Sequence, residues 1–151
     1  MSHCNIGTEG GKIIGKGLRG NRCLQTLILK DNLLKDSISD IAKAFLGNQI
    51  ALCLKELDIS KCQISCDHIT SDFLKMLKSK FTTLKTLNMR DNLIGYTSSE
   101  QIKDALKTNK TITKINLEYN PIKQQVLEAI EKLCLRNTKL DELNLKHKNV
   151  V

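Results

Sequence analysis

Along this chain, short runs in which apolar and polar residues alternate give way to stretches with helical spacing, and the exchange recurs from end to end. The run Leu84, Leu87, Met89, Asn92, Ile94 sets the template: apolar residues at its first, fourth, sixth and eleventh places, Asn at its ninth. The same spacing falls on Leu24, Leu27, Leu29, Asn32, Leu34 and on Leu54, Leu57, Ile59, Cys62, Ile64. It falls again on Ile112, Ile115, Leu117, Asn120, Ile122. A fifth register takes Leu140, Leu143 and Leu145, with Lys148 in the Asn place and Val150 last. Positions 32, 62, 92, 120 and 148 are 30, 30, 28 and 28 residues apart. A period of that size marks stacked repeats, each burying its apolar face against the next.

Period-two alternation at each register predicts a short strand with its Leu positions turned inward. Between strands, Ile38, Ile41, Ala42, Phe45 and Leu46 fall at i, i+3, i+4, i+7 and i+8, which predicts an amphipathic helix stopped at Gly47-Asn48. Ile69, Phe73, Leu74 and Leu77 predict the next. Ile102, Ala105 and Leu106 predict another, opened by Ser98-Ser99-Glu100 and closed at Asn109, and Val126, Leu127, Ile130, Leu133 and Cys134 predict one after Pro121. The earliest helix, built on Gly10, Ile13, Ile14 and Leu18, contains Gly11, Gly15 and Gly17. At about 0.5–1 kcal/mol per glycine it should be the weakest. Counting back from Asn32 to Cys4 makes Met1, Cys4 and Ile6 the tail of an earlier strand. The expected fold class is α/β: one domain over residues 1–151, a solenoid of about five strand–turn–helix units of 28–30 residues. Neither end carries a capping repeat, so the chain is expected to be a piece of a longer repeat protein or to dock end-on.

On Leu84, Leu87, Met89, Asn92, Ile94, Ile102, Leu106 and their equivalents, the chain resembles the ribonuclease-inhibitor-like leucine-rich repeats. The resemblance implies a right-handed horseshoe with a parallel sheet on the concave side and helices on the convex side. The ninth-place Asn would satisfy backbone groups where the chain leaves each strand; Cys does this more weakly, and Lys148 cannot accept a hydrogen bond. The ribonuclease inhibitor implies an acidic, aromatic-rich concave face, which this sequence lacks. The Ran GTPase-activating proteins imply stimulation of a small GTPase, but no residue here matches an activating motif.

Composition narrows the function. No apolar run approaches the ~18 residues of a membrane span, and the N-terminus is not a signal peptide, so a cytoplasmic protein is expected. Six cysteines follow the repeat rather than a disulfide framework, and the expectation is reduced, core thiols with no metal and no cofactor. No catalytic constellation can be singled out, so the chain is expected not to be an enzyme or to bind a small-molecule substrate. Asn109-Lys-Thr111 matches a glycosylation sequon, without meaning unless the protein is secreted.

Residues between the inward Leu positions would face the concave side. There the basic residues Lys30, Lys61, Arg90, Lys114 and Lys146 roughly balance the acidic Asp31, Glu56, Asp58, Asp91, Glu118 and Glu142, although the whole chain is +8. The excess is expected on helices and outer loops, at Lys12, Lys16, Lys43, Lys75, Lys78, Lys80, Lys103, Lys107, Lys110, Lys123 and Lys132. With three Phe, two Tyr and no Trp, stacking residues are scarce, so nucleic acid is an unfavoured partner. The function expected is a protein–protein interaction module using the concave strip Asn88, Arg90, Asp91, Asn116, Glu118, Tyr119, Asn144 and Lys146, with Tyr119 and Arg90 as anchors. The competing expectation is a structural subunit of an axonemal or cytoskeletal assembly, docking through basic convex helices and open ends.

Overall fold

A computed structural model describes residues 1–46, 53–79 and 82–148, the side chains of 140–148 excepted. Helices and strands alternate: α1 (Thr8–Leu18), β1 (Thr26–Ile28), α2 (Ile38–Leu46), β2 (Glu56–Asp58), α3 (Ser71–Lys78), β3 (Thr86–Asn88), α4 (Tyr96–Thr108), β4 (Lys114–Asn116) and α5 (Gln124–Lys148). The strands form one sheet in the order β1-β2-β3-β4, every pair parallel. Register follows the sequence template: Leu27 pairs with Leu57, Leu57 with Leu87, and Leu87 with Ile115.

A strand of three residues has little stability alone, and the core supplies the rest. Leu27, Leu57 and Leu87 are buried on the helix-backed side, beneath Ile41, Phe73, Ile102 and Ile130 from successive helices. Leu57→Ala or Leu87→Ala therefore removes ~2–5 kcal/mol, the range for deleting a fully buried Leu side chain.

Where each strand ends, the Asn ladder takes over. The Asn92 amide donates to the carbonyls of Ile59 (3.0 Å) and Met89 (2.9 Å) and accepts from the N–H groups of Cys62 and Ile64, both at 3.0 Å. Asn32 and Asn120 repeat the arrangement, Asn32 accepting from Ile6 N–H and Asn120 from Ile94 N–H. Cys62 occupies the same rung and donates its thiol to the carbonyls of Leu29 and Ser60, each at 3.3 Å. The residue before each rung takes a left-handed conformation in every repeat: His3, Asp31, Lys61, Asp91 and Tyr119 have φ of 53°, 58°, 54°, 56° and 57°.

Several expectations change. Residues 140–146 do not form a fifth strand; α5 runs unbroken through them to Lys148. The physical reason is local. Thr111, Ile112, Thr113 and Ile115, around β4, are β-branched, whereas Leu140-Asp-Glu-Leu-Asn-Leu145 contains none, and no glycine stops the helix before it. Asn137 has the place held by Asn109 one repeat earlier, yet it stays helical while its amide donates to Ile112 O at 2.8 Å. Ile13 and Met1 are exposed rather than inward. Helix α4 begins at Tyr96, behind an extended Gly95, so Ser98 and Ser99 lie within it and are buried instead of opening it. The expected stop at Gly47-Asn48 lies outside the described residues.

Candidate functional site

The open face of the sheet is made by the residues between the buried ones. At its C-terminal margin Asp58, Asn88 and Asn116 form one column, and each side chain turns back onto its own strand. Asp58 Oδ1 accepts from Ser60 N–H (2.9 Å), Asn88 Oδ1 from Arg90 N–H (3.1 Å), and Asn116 Oδ1 from Glu118 N–H (3.0 Å). These local caps bend the chain towards the left-handed residue and the rung that follow. Asn88 Nδ2 also donates to Asp58 Oδ2 at 3.0 Å. The column is therefore largely engaged in holding the strand ends.

The next two columns project further. The Arg90 guanidinium lies 3.4 Å from the Glu118 carboxylate and 4.4 Å from the centre of the Tyr119 ring. Tyr119 is 71% exposed, the largest value among the big apolar side chains of the described residues. Lys61 pairs with Asp91 at 3.7 Å, and His3 contacts Asp31. Exposed pairs such as these add little stability, typically under about 1 kcal/mol, and remain available to a partner. A second cation–aromatic contact, Lys123 on Tyr96 at 4.4 Å, lies where α4 and α5 begin.

Of the eight strip residues, Asn88, Arg90, Asp91, Asn116, Glu118 and Tyr119 come together on β3, β4 and the turns after them. Asn144 and Lys146 do not join them, because both lie in α5. The sequence reading missed Asp58 and Lys61 as partners of Asn88 and Asp91. Of the lysines expected to carry the excess positive charge, five on the helix backs are compensated, whereas Lys16 and Lys110 have no ion pair among the described residues. Lys12 pairs with Glu9, Lys43 with Asp40 and Asp72, Lys75 with Asp72, Lys103 with Glu100, and Lys107 with Asp104. The i,i+3 spacing of all of these pairs except Lys43–Asp72 was the available signal.

Burial pushes the Cys62 and Cys134 thiols up to about 11, which keeps them protonated and unreactive at neutral pH. Cys66 goes the other way, lowered first by a hydrogen bond with Ser98, and it accepts from Gly95 N–H at 3.2 Å. Asn109 is buried, and its amide is spent on Leu77 O, Thr111 N–H and Ile112 N–H, so the sequon there is closed to a glycan. Among the described residues no helix is long and apolar enough to cross a membrane.

A family model described as Leucine Rich repeat matches residues 52–65. No curated protein matches the chain. Among solved structures, the one titled Leiomodin-1 Actin-Binding Site 2 is similar with a TM-score of 0.79 at 17% identity, covering 97% of this chain and 84% of that one. The tropomodulin C-terminal domain of Caenorhabditis elegans is similar with a TM-score of 0.56 at 9% identity, covering 91% and 98% respectively. At such identities the likeness is one of fold. The sequence period, the strand register, the Asn ladder, the match over residues 52–65 and these structures agree on a leucine-rich-repeat fold.

Proposed function

We propose that this chain is a non-enzymatic protein-interaction module that takes its partner on the open, concave side of the sheet, around Arg90, Glu118 and Tyr119. The observation that carries the reading is Tyr119 itself. A large aromatic side chain is held out into solvent on a left-handed backbone, with an arginine against its ring and a carboxylate beside that arginine. Tyr and Arg are the residue types that dominate binding hot spots, and a pre-ordered pair loses less side-chain entropy on binding than two free ones.

The similar fold titled as an actin-binding site makes a cytoskeletal protein the first partner to try. Co-sedimentation with filamentous actin, and binding to monomeric actin by fluorescence anisotropy, should reveal an interaction. Tyr119→Ala and Arg90→Ala should each weaken it by about tenfold or more, as expected for hot-spot truncations. If both variants bind like the parent, the open face is not the binding surface. The alternative of an assembly subunit has one supporting observation: β4 is an edge strand whose Ile115 is only partly buried.

A further inference from the structure

The two edges of the sheet carry different chemistry. At one edge strands end and helices begin, through residues 29–38, 59–71, 89–97 and 117–124. Each of these four segments has as many acidic as basic residues, Arg90 with Asp91 and Glu118 with Lys123 among them. The exposed Leu33, Leu93, Tyr96 and Tyr119 all belong to this edge. At the other edge helices end and strands begin, through the described residues 16–25, 53–55, 78–79 with 82–85, and 108–113. Those segments hold seven lysines and arginines (Lys16, Arg19, Arg22, Lys55, Lys78, Lys85 and Lys110) and no acidic residue, against a net charge of +8 for the whole chain. Because all four strands run parallel, the four segments line the same edge. Seven positive charges with no acidic residue among them are therefore gathered along one margin.

Helix capping accounts for part of this basic character and not the rest. Carbonyls at helix C-termini favour nearby cations. At the end of α4 one arginine does that work: the Arg136 guanidinium donates to the carbonyls of Leu106 (3.2 Å), Lys107 (3.1 Å) and Asn109 (2.7 Å). Lys16, Arg19, Arg22, Lys55 and Lys110 are exposed, and none of them is in an ion pair among the described residues. This contrasts with the helix backs, where each of the five lysines named above has an acidic neighbour.

We propose that this basic edge is a second docking surface, for an acidic protein presenting clustered carboxylates. The inference rests on the protein-interaction reading above but uses a different face. Three observations favour a carboxylate-rich protein over nucleic acid. Phosphates are commonly held by backbone N–H groups and helix N-termini as well as by side chains. On this edge many loop amides are already engaged: Cys23 and Leu24 with Asn21, Thr111 and Ile112 with Asn109, Lys85 and Thr86 with Lys55 O, and Thr113 and Lys114 with Lys85 O. The helix N-termini lie at the opposite edge, and so do both tyrosines on which a base could stack. What the edge offers is mobile, hydrated ammonium and guanidinium groups, which suit diffuse charge complementarity.

The test uses the full chain and a fluorescently labelled glutamate homopolymer, titrated at low and at physiological salt, with an RNA duplex and phosphatidylserine vesicles as the other arms. Glutamate polymer should bind at low salt and release as salt rises. Neutralising the edge with Lys16→Gln, Arg19→Gln, Arg22→Gln and Lys55→Gln should weaken that binding about tenfold, against less than about threefold for Lys12→Gln, Lys43→Gln and Lys75→Gln on the helix backs. Thermal melts confirm that both sets fold, and Lys55→Gln with Lys110→Gln serves as a lighter variant. Equal losses from the two sets, or no binding to glutamate polymer at low salt, would overturn the edge. Tighter binding of the RNA duplex or the vesicles would overturn the partner class. The Tyr119→Ala variant should keep glutamate binding while losing the partner of the open face, so failure of either reading is separately visible.

Discussion

Tyr119 occupies a φ of 57°, where a side-chain-bearing residue costs roughly 1–2 kcal/mol relative to the right-handed region. The same conformation recurs at His3, Asp31, Lys61 and Asp91, so the fold demands it one place before every rung, whatever residue sits there. Asp accepts it readily and a tyrosine does not. This makes a clean comparison possible. In most settings Gly is less stable than Ala by a few tenths to one kcal/mol, but here Tyr119→Gly should be more stable than Tyr119→Ala by about 1 kcal/mol. Urea unfolding with equal m-values would measure it, and Ala equal to or better than Gly would show the turn to be relaxed.

The two buried thiols make a second prediction at the same scale. An unfolded Cys releases its proton near 9, while Cys62 and Cys134 hold theirs to about 11 in the folded chain. Between those values the native state binds more protons than the unfolded one, so stability must fall as pH rises from about 9 towards 11 and is fully present below 9. Unfolding free energies across that window should show the decline, and Cys62→Ser should make it shallower. Below pH 8 the same thiols should resist iodoacetamide while exposed Cys4 and Cys23 react. Rapid labelling of Cys62 in the folded protein would contradict its buried rung.

Among the elements, α1 shows how a local cost can serve packing. Its glycines lower helix propensity, yet two of them let the helix approach its neighbour. A Cβ on Gly15 would stand 2.6 Å from the Asp40 carbonyl carbon and 2.7 Å from its oxygen, and one on Gly11 would meet Ser37 Oγ at 2.0 Å. Backbone cannot step aside as a side-chain tip can. Gly15→Ala should therefore destabilise by more than about 1 kcal/mol despite its better helix propensity, while Gly17→Ala, facing open space, should stabilise by up to about 1 kcal/mol. Matching shifts for the two variants in thermal melts would refute the tight α1–α2 contact.

The strands and the next helices were legible because inward positions recur at a fixed spacing that burial enforces. The helix on Val126 to Cys134 was legible as well, but its continuation through residues 140–148 was not, because the template Leu140, Leu143, Leu145 counts positions and ignores propensity. The missing β-branched residues and the missing glycine outweigh the repeat there. The open-face residues were legible by counting too. Their self-capping Asx bonds and left-handed neighbours were not, since these depend on backbone angles two residues on.

For the whole molecule, sheet order decides where the structure opens first. In a stacked repeat protein each unit is held mainly by its neighbours, so an end unit has one interface where an inner unit has two. Leu57 and Leu87 are essentially inaccessible, whereas Ile115 at the edge is partly exposed beside a hollow of about 210 Å³ lined also by Leu127 and Ile130. The backbone tells the same story. Ile59 N–H donates across to Asn88 O and Met89 N–H to Asn116 O, both at under 3 Å, and Leu117 is the equivalent residue one strand later. Among the described residues no strand follows β4 in the sheet to accept from it. Amide hydrogen exchange should accordingly be slowest at Ile59 and Met89, near the global unfolding limit, and faster by orders of magnitude at Leu117, which needs only local opening. If Leu117 proves as protected as Met89 in the isolated chain at low concentration, some segment of the molecule covers the β4 edge, and the gradient of stability from the middle of the sheet to that edge is wrong. If protection at Leu117 instead rises with protein concentration, the edge is paired between copies, which an uncovered parallel strand favours.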